Sequence, residues 1–220
     1  MKKSDGKWFL SKVRSMIKTH GMLEPGDRLA IALSGRVASC AMLYILASLQ
    51  TFQGFRFSLH PVHVAHTGSD LRLMELINTH FGLNLLVVDS PPGKTTPNDE
   101  HLLKQLVQTS RQLGCNKLAL AHHADDVERY FFRSLFGGGC LSVLPPVEVV
   151  PDTGLTLIRP LLLVPAQTLS SLAKRESLPA TEKWQFNAPV DNITRAVYLL
   201  KARYPDLTEK LLSALYPTPG

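Results

Sequence analysis

The stretch Leu29-Ala30-Ile31-Ala32-Leu33-Ser34-Gly35-Arg36-Val37-Ala38-Ser39 decides how the rest of the chain is read. Leu29 to Leu33 is an unbroken apolar run, short enough for a buried strand. Ser34-Gly35 turns the backbone, and Ala38, Ala41, Leu43, Leu46 and Leu49 continue as an apolar helix. A strand, a tight turn and a helix start together form an anion site. Backbone N–H groups converge there, and the helix N-terminus adds partial positive charge. Ser34, Gly35 and Ser39 are the candidate phosphate holders through N–H and hydroxyl groups, with Arg36 adding charge. The same residues also make an ordinary βα turn. The full P-loop pattern and G-x-G-x-x-G are both absent.

Working outward, apolar strands alternate with helices. Phe9, Val13, Met16 and Ile17 lie at helical spacing, so residues 7–20 read as an amphipathic helix ended by Gly21. Strands are expected at Phe55–Ala65, Leu83–Val88, Lys117–Ala121 and Leu155–Leu161, with helices at Leu71–Phe81, Asp99–Leu113 and from His122 to the Gly137-Gly138-Gly139 stop. Pro165 opens a further helix toward Ser177, and residues 191–216 read as two short helices broken at Tyr204-Pro205. This alternation predicts βαβ crossovers and a five-stranded parallel sheet covered on both faces, with a small helical C-terminal part. Three segments follow: a basic N-terminal helix (1–24), an α/β domain (25–163) and a helical part (164–220).

The second constellation is His122-His123-Ala124-Asp125-Asp126, at a strand end and a helix start. Carboxylates there are favoured by the helix dipole and suit Mg²⁺ bridging to phosphate, with Asp126 as the metal ligand; the competing role is helix capping. Zinc is a poor alternative, because adjacent histidines rarely converge on one metal. Gly93-Lys94-Thr95-Thr96 reads as a surface loop, since Val88 stands where a P-loop needs glycine. Trp8 and Trp184 read as packing residues.

Hydrophobic residues make up 45% of the chain and charged residues 19%, the balance of a soluble globule. No apolar run is long enough for a membrane span, and the start lacks the apolar core of a secretory signal. Three widely spaced cysteines, Cys40, Cys115 and Cys140, form no C-x-x-C pair and fit a reducing cytoplasm. Most of the net charge of +6 sits in the first twenty residues, where Lys2, Lys3, Lys7, Lys12, Arg14 and Lys18 face only Asp5. Lys12, Arg14 and Lys18 are the candidate RNA-binding residues, against the plainer role of a solvated helix face.

Taken together, these landmarks resemble the PP-loop adenine-nucleotide α-hydrolase superfamily, and within it the bacterial tRNA 2-thiocytidine synthetases. The resemblance spans most of the chain. It rests on Gly26-Asp27-Arg28 leading into Ser34-Gly35, on Gly93-Lys94-Thr95-Thr96, and on Leu113-Gly114-Cys115-Asn116-Lys117 leading into His122-His123-x-Asp125-Asp126. Leu135-Phe136-Gly137-Gly138 and Ile158-Arg159-Pro160-Leu161 complete it. The resemblance implies a Rossmann-like (HUP-type) sheet that binds ATP, adenylates a tRNA base carbonyl with Mg²⁺ over the phosphates, releases pyrophosphate and then delivers sulfur.

Four departures accompany the likeness. The family turn Ser-Gly-Gly-x-Asp-Ser is here Ser34-Gly35-Arg36-Val37-Ala38-Ser39. Two C-x-x-C pairs of the family have counterparts at Pro97-Asn98-Asp99-Glu100 and Lys183-Trp184-Gln185-Phe186, without thiols. The Glu of Asp-Asp-x-x-Glu-Thr becomes Arg129. These departures lead to the expectation of altered or impaired catalysis, with ATP and Mg²⁺ as ligands and no iron–sulfur cluster. The alternative is a non-catalytic protein that binds RNA or an active paralogue. Expected partners are tRNA, such a paralogue and a second copy of the chain.

Overall fold

A computed structural model describes residues 7–50, 56–66, 69–89, 99–181 and 192–217. The expected features at Phe55, Gly93–Thr96, Pro97-Asn98 and Lys183–Phe186, Trp184 among them, lie outside these residues, as does the side chain of Trp8. Helix α1 (Lys7–Thr19) buries Leu10, Val13, Met16 and Ile17 at three- and four-residue spacing. Strand β1 (Arg28–Ala32) is followed by α2 (Val37–Gln50), whose face from Cys40 to Leu49 is wholly buried. Next come β2 (Ser58–Ala65), α3 (Leu71–Phe81), β3 (Leu86–Asp89), α4 (Asp99–Gln112) and β4 (Lys117–Ala119). Asp70 caps α3 by accepting the Leu73 N–H at 3.0 Å, and Gly82 ends it in the left-handed region at φ 60°. The chain closes with α5 (Ala124–Gly138), β5 (Val147–Val150), β6 (Leu155–Ile158), α6 (Ala166–Arg175), α7 (Asn192–Arg203) and α8 (Leu207–Leu215).

The strands form one sheet in the order β3-β2-β1-β4-β6-β5. All neighbours pair in parallel except β5 and β6. The two faces follow from the pleat. Leu29, Ile31 and Leu33 enter a core shared with α1, α2, α3, α5, α6 and α8. Ala30, Leu118, Leu120, Val62 and Val64 enter a second core covered by Leu102, Leu103, Leu106 and Val107 of α4. The first core draws on Leu10 and Val13, on the sheet, and on Leu169, Leu212 and Tyr216, so it joins residues of all three expected segments.

The expected five-stranded parallel sheet is corrected to a mixed sheet of six strands. The extra strand, β5, arises because Pro151-Asp152-Thr153-Gly154 folds the chain back on itself. Thr153 Oγ1 donates to Val150 O at 2.8 Å and accepts the Leu155 N–H at 3.1 Å, which sets Val147 opposite Ile158 in antiparallel register. Buried Arg159 fixes the added strand by donating to Pro145 O and Glu148 Oε2, both at 2.7 Å. Among the described residues no helix is long and apolar enough to cross a membrane.

At the amino edge of the sheet, β1 and β4 are joined by polar contacts. The Lys117 ammonium lies 2.7 Å from Asp27, and both groups are buried. Asn116 Nδ2 donates to Asp27 Oδ1 at 2.7 Å, and the Arg28 N–H donates to Asn116 Oδ1 at 2.9 Å. The Arg28 guanidinium reaches Gly114 O and Leu113 O. Burial alone would raise the Asp27 pKa, but hydrogen bonds from Lys117, the Glu24 N–H and Asn116 outweigh it and hold the carboxyl below its usual range. A depressed folded-state pKa contributes stability above the unfolded value, and that contribution is lost as pH falls. Asp27→Asn leaves Lys117 buried without its counter-charge and is expected to cost about 3 kcal/mol at pH 7. Urea titrations across pH are the check. The wild-type midpoint falls between about pH 5 and pH 3, and the variant loses the Asp27 share of that slope.

Candidate functional site

The carboxyl ends of β1 and β4 lie side by side, because Ile31 pairs with Ala119. From β1 the sheet runs outward through β2 and β3, and from β4 it runs the other way through β6 and β5. The crevice above β1 and β4 is therefore the point where the winding reverses, the usual ligand position in an open α/β sheet.

On the β1 side, Gly35 has φ 76°, and a Cβ built on it would stand 2.6 Å from Met74 Cε and 3.1 Å from Leu73 Cδ2. The backbone conformation would strain a side chain here, and the Met74 and Leu73 side chains of α3 would have to shift to admit one. The two serines brace the turn. Ser39 is buried; its hydroxyl donates to Arg36 O at 2.9 Å, accepts the Ser34 N–H at 3.2 Å and lies 3.1 Å from the Ser34 hydroxyl. Arg36 is exposed, with Nε 3.4 Å from Ser34 Oγ. The Thr181 N–H donates to Gly35 O at 2.9 Å, so the chain beyond α6 runs beside the turn. Beneath it, buried His63 of β2 places Nδ1 2.7 Å from Leu33 O and Nε2 3.1 Å from Ser69 Oγ. Burial lowers the His63 pKa and favours the neutral ring.

On the β4 side, His122 is half-buried and His123 is the N-cap of α5. Asp126 Oδ2 accepts the His123 N–H at 2.9 Å, while Asp126 Oδ1 is held by Arg129 one turn on. Asp125 turns toward another helix. Its Oδ2 accepts the Ala166 N–H at 2.7 Å and so caps α6, where the N-cap residue is Pro165. His123 Nδ1 and Lys201 Nζ each lie 3.5 Å from the Asp125 carboxylate. Burial pushes the Asp125 pKa up, but His123, the Ala166 N–H and Lys201 overcome it and hold the carboxyl well below the usual range. Lys201 of α7 also donates to buried Glu128 at 2.9 Å. Burial works against its charge, and Glu128 and Asp125 raise its pKa in spite of that.

The sequence-derived site residues thus fall into two groups on adjacent strand ends: Ser34, Gly35, Arg36 and Ser39 in one, and His122, Asp125 and Asp126 in the other. Lys12, Arg14 and Lys18 stand apart on α1, Lys12 half-buried and the other two exposed. Sequence reasoning did not reach His63, Thr181, Glu128 or Lys201. A histidine within the apolar run Pro61–Val64 was the available signal for His63; the other three are brought in only by the tertiary fold. Both Asp126 oxygens are engaged, and no group of three or more His, Cys, Asp or Glu able to hold a metal ion occurs among the described residues. With its oxygens so engaged, Asp126 serves in this arrangement as a helix cap and an ion-pair partner. The chain's three cysteines are separate, Cys40 and Cys115 buried and Cys140 exposed.

No family model matches the chain. A tRNA-cytidine(32) 2-sulfurtransferase of Alkalilimnicola ehrlichii is 33% identical over 181 residues, which are 74% of this chain and 56% of that protein. One from Bordetella petrii is 30% identical over 217 residues, 90% of this chain and 67% of that protein. The chain spans about three-fifths of the length of most of the curated relatives it matches. Among solved structures, the U34-tRNA thiolase NcsA from Methanococcus maripaludis, with its [4Fe-4S] cluster, superposes at TM-score 0.73 with 18% identity, over 93% of this chain and 76% of that one. An NH3-dependent NAD synthetase from Campylobacter jejuni gives 0.52 with 12% identity, over 97% and 90%. The NcsA likeness corrects one expectation. The sequence reading excluded an iron–sulfur cluster, yet a protein of this fold carries one, so the exclusion is withdrawn. With 30% identity spread over two-thirds of the Bordetella petrii protein, on a sheet whose ligand crevice lies between β1 and β4, the chain belongs to the tRNA-cytidine(32) 2-sulfurtransferase family of PP-loop proteins.

Proposed function

We propose that this chain acts on tRNA, holds the phosphates of ATP at the β1 turn, and turns ATP over slowly. The observation that carries this reading is the state of Asp126, both of whose oxygens are committed, one to the His123 N–H and one to Arg129. A carboxylate in that state is a helix cap and an ion-pair partner. A magnesium ion at this carboxylate would compete with Arg129 for its charge.

The β1 turn keeps the means to bind an anion. The first-turn N–H groups of α2 and the helix dipole favour negative charge. Arg36 presents a planar guanidinium beside them, suited to two phosphate oxygens at once. Ser34 is exposed and can turn its hydroxyl to a phosphate, whereas Ser39 is buried within the turn and serves to position it. His63 holds the Leu33 carbonyl from below and fixes where the turn begins. ATP supplies the adenylyl group that converts a base carbonyl oxygen into a leaving group. On this chain the charge that would otherwise come from a metal comes from Arg36.

Calorimetry of the whole chain with ATP, with and without Mg²⁺, tests this. Saturable binding nearly indifferent to Mg²⁺ is expected, and Arg36→Gly weakens it about tenfold or more, the effect of one charge-assisted hydrogen bond. Arg129→Gln frees Asp126 Oδ1 and introduces a Mg²⁺ dependence absent from the wild type. Rapid Mg²⁺-dependent pyrophosphate release by the wild type would overturn the reading.

The charge on α1 carries a second expectation. Arg14 and Lys18 are exposed on the side of the helix flanking the buried Val13, Met16 and Ile17. If tRNA phosphates lie along that face, replacing both with Gln lowers affinity and flattens the plot of log K against log salt by about one unit per residue. Filter binding over a salt series measures both quantities, and an unchanged slope removes α1 from the interface.

A further inference from the structure

Helix α7 carries three cations and no acidic residue, in the sequence Asn-Ile-Thr-Arg-Ala-Val-Tyr-Leu-Leu-Lys-Ala-Arg. Its two faces differ in kind. Thr194, Val197 and Lys201 face inward, Lys201 onto Asp125 and Glu128 of α5. Arg195, Tyr198, Leu199 and Arg203 face outward at three- and four-residue spacing. Tyr198 is 62% exposed, Leu199 68%, and Tyr204, just past the helix, 54%. The Arg203 guanidinium lies 5.9 Å from the centre of the Tyr204 ring. Asp206, the next acid along the chain, is paired with Lys210 at 2.6 Å.

Large aromatic side chains standing in solvent gain nothing from the fold of this chain. Interleaved with arginines, they have the makeup of a single-strand platform, where bases stack on rings and guanidinium planes while cations meet phosphates. Arginine and tyrosine also occur at protein interfaces, so RNA is favoured here by charge: the outer face carries Arg195 and Arg203 and no acid, which complements a phosphate backbone. Lys201, two residues before Arg203, ties the C-terminal end of α7 to the start of α5 and leaves the opposite face open. A base whose carbonyl is to be attacked must first leave its stack, and a cationic aromatic face gives the displaced strand a place to rest.

We infer that the outer face of α7, with Tyr198, Leu199 and Arg203 on the helix and Tyr204 just beyond it, is a stacking platform for single-stranded RNA. This rests on the tRNA substrate proposed above. The test uses the whole chain, a fluorescein-labelled tRNA transcript and a labelled oligocytidine RNA, with fluorescence anisotropy at low salt and a thermal melt of each variant to confirm folding. Tyr198→Ala and Tyr204→Ala each weaken oligocytidine binding about tenfold or more, whereas Tyr→Phe at either site retains it. Arg203→Gln flattens the salt dependence by about one unit. Unchanged affinity in folded alanine variants, with a wild type that binds, overturns the platform and leaves the tRNA reading standing. A wild type that binds neither RNA overturns both. Sedimentation showing self-association that Tyr198→Ala abolishes assigns the face to a second copy and likewise overturns the platform.

Discussion

The contact between Asp27 and Lys117 at 2.7 Å sets the geometry on which the crevice depends. These two strands, β1 and β4, come from segments separated by almost ninety residues of chain, and β4 has only three residues of ladder to hold its place. So short a parallel pairing specifies register weakly through backbone hydrogen bonds alone. A buried carboxylate and ammonium, with Asn116 bonded to both Asp27 and the Arg28 backbone, make any slipped register leave a charge unmatched in the interior. Fixing the amino ends also fixes the carboxyl ends a few residues away. The Ser34 turn and the His123 cap therefore follow adjacent strand ends, whose alignment is set by a contact at the opposite edge of the sheet.

Much of this was legible from the chain. The apolar run at Leu29–Leu33 and the helical spacing that follows have one reading each, and both elements form as read. Gly82 and Gly139 end their helices in the left-handed conformation, as their positions imply. Strand β5 was missed for an identifiable reason. Val147-Glu148-Val149-Val150 is four residues long and follows two prolines, and only pairing with β6 makes it a strand. The charged site was legible in membership and not in connection. Nothing local announces that Asp125 caps α6, forty-one residues downstream, or that a lysine near the end of α7 closes the same cluster.

The start of α5 shows how one pair of carboxylates serves several structural needs. A helix beginning over a strand end must satisfy its first N–H groups, and α6 begins at Pro165 without a side-chain cap of its own. Asp125 and Asp126 divide that work, one crossing to α6 and the other staying on α5. Arg129 and Lys201 then balance what two acids and Glu128 bring into a partly closed space. In this arrangement neighbouring carboxylates of one helix cap two helix starts.

The position of Glu128 follows from the same helical geometry. Successive residues on an α-helix are rotated by about 100°, so a carboxylate one place earlier looks in a different direction. Glu128 points into the interface with α7, is 2% exposed, and is met there by Lys201. Residue 129 lies one turn beyond Asp126 and looks back along α5 toward it, as its contact shows. A glutamate at 129 would stand beside Asp126 and add negative charge at the crevice; the arginine there removes it. Glu128 cannot substitute, because turning it toward Asp126 would strand Lys201 in the α5–α7 interface without its closest partner. At the helix start Arg129 thus faces Asp126, while Glu128 is turned into the helix interface, where it secures α7 through Lys201.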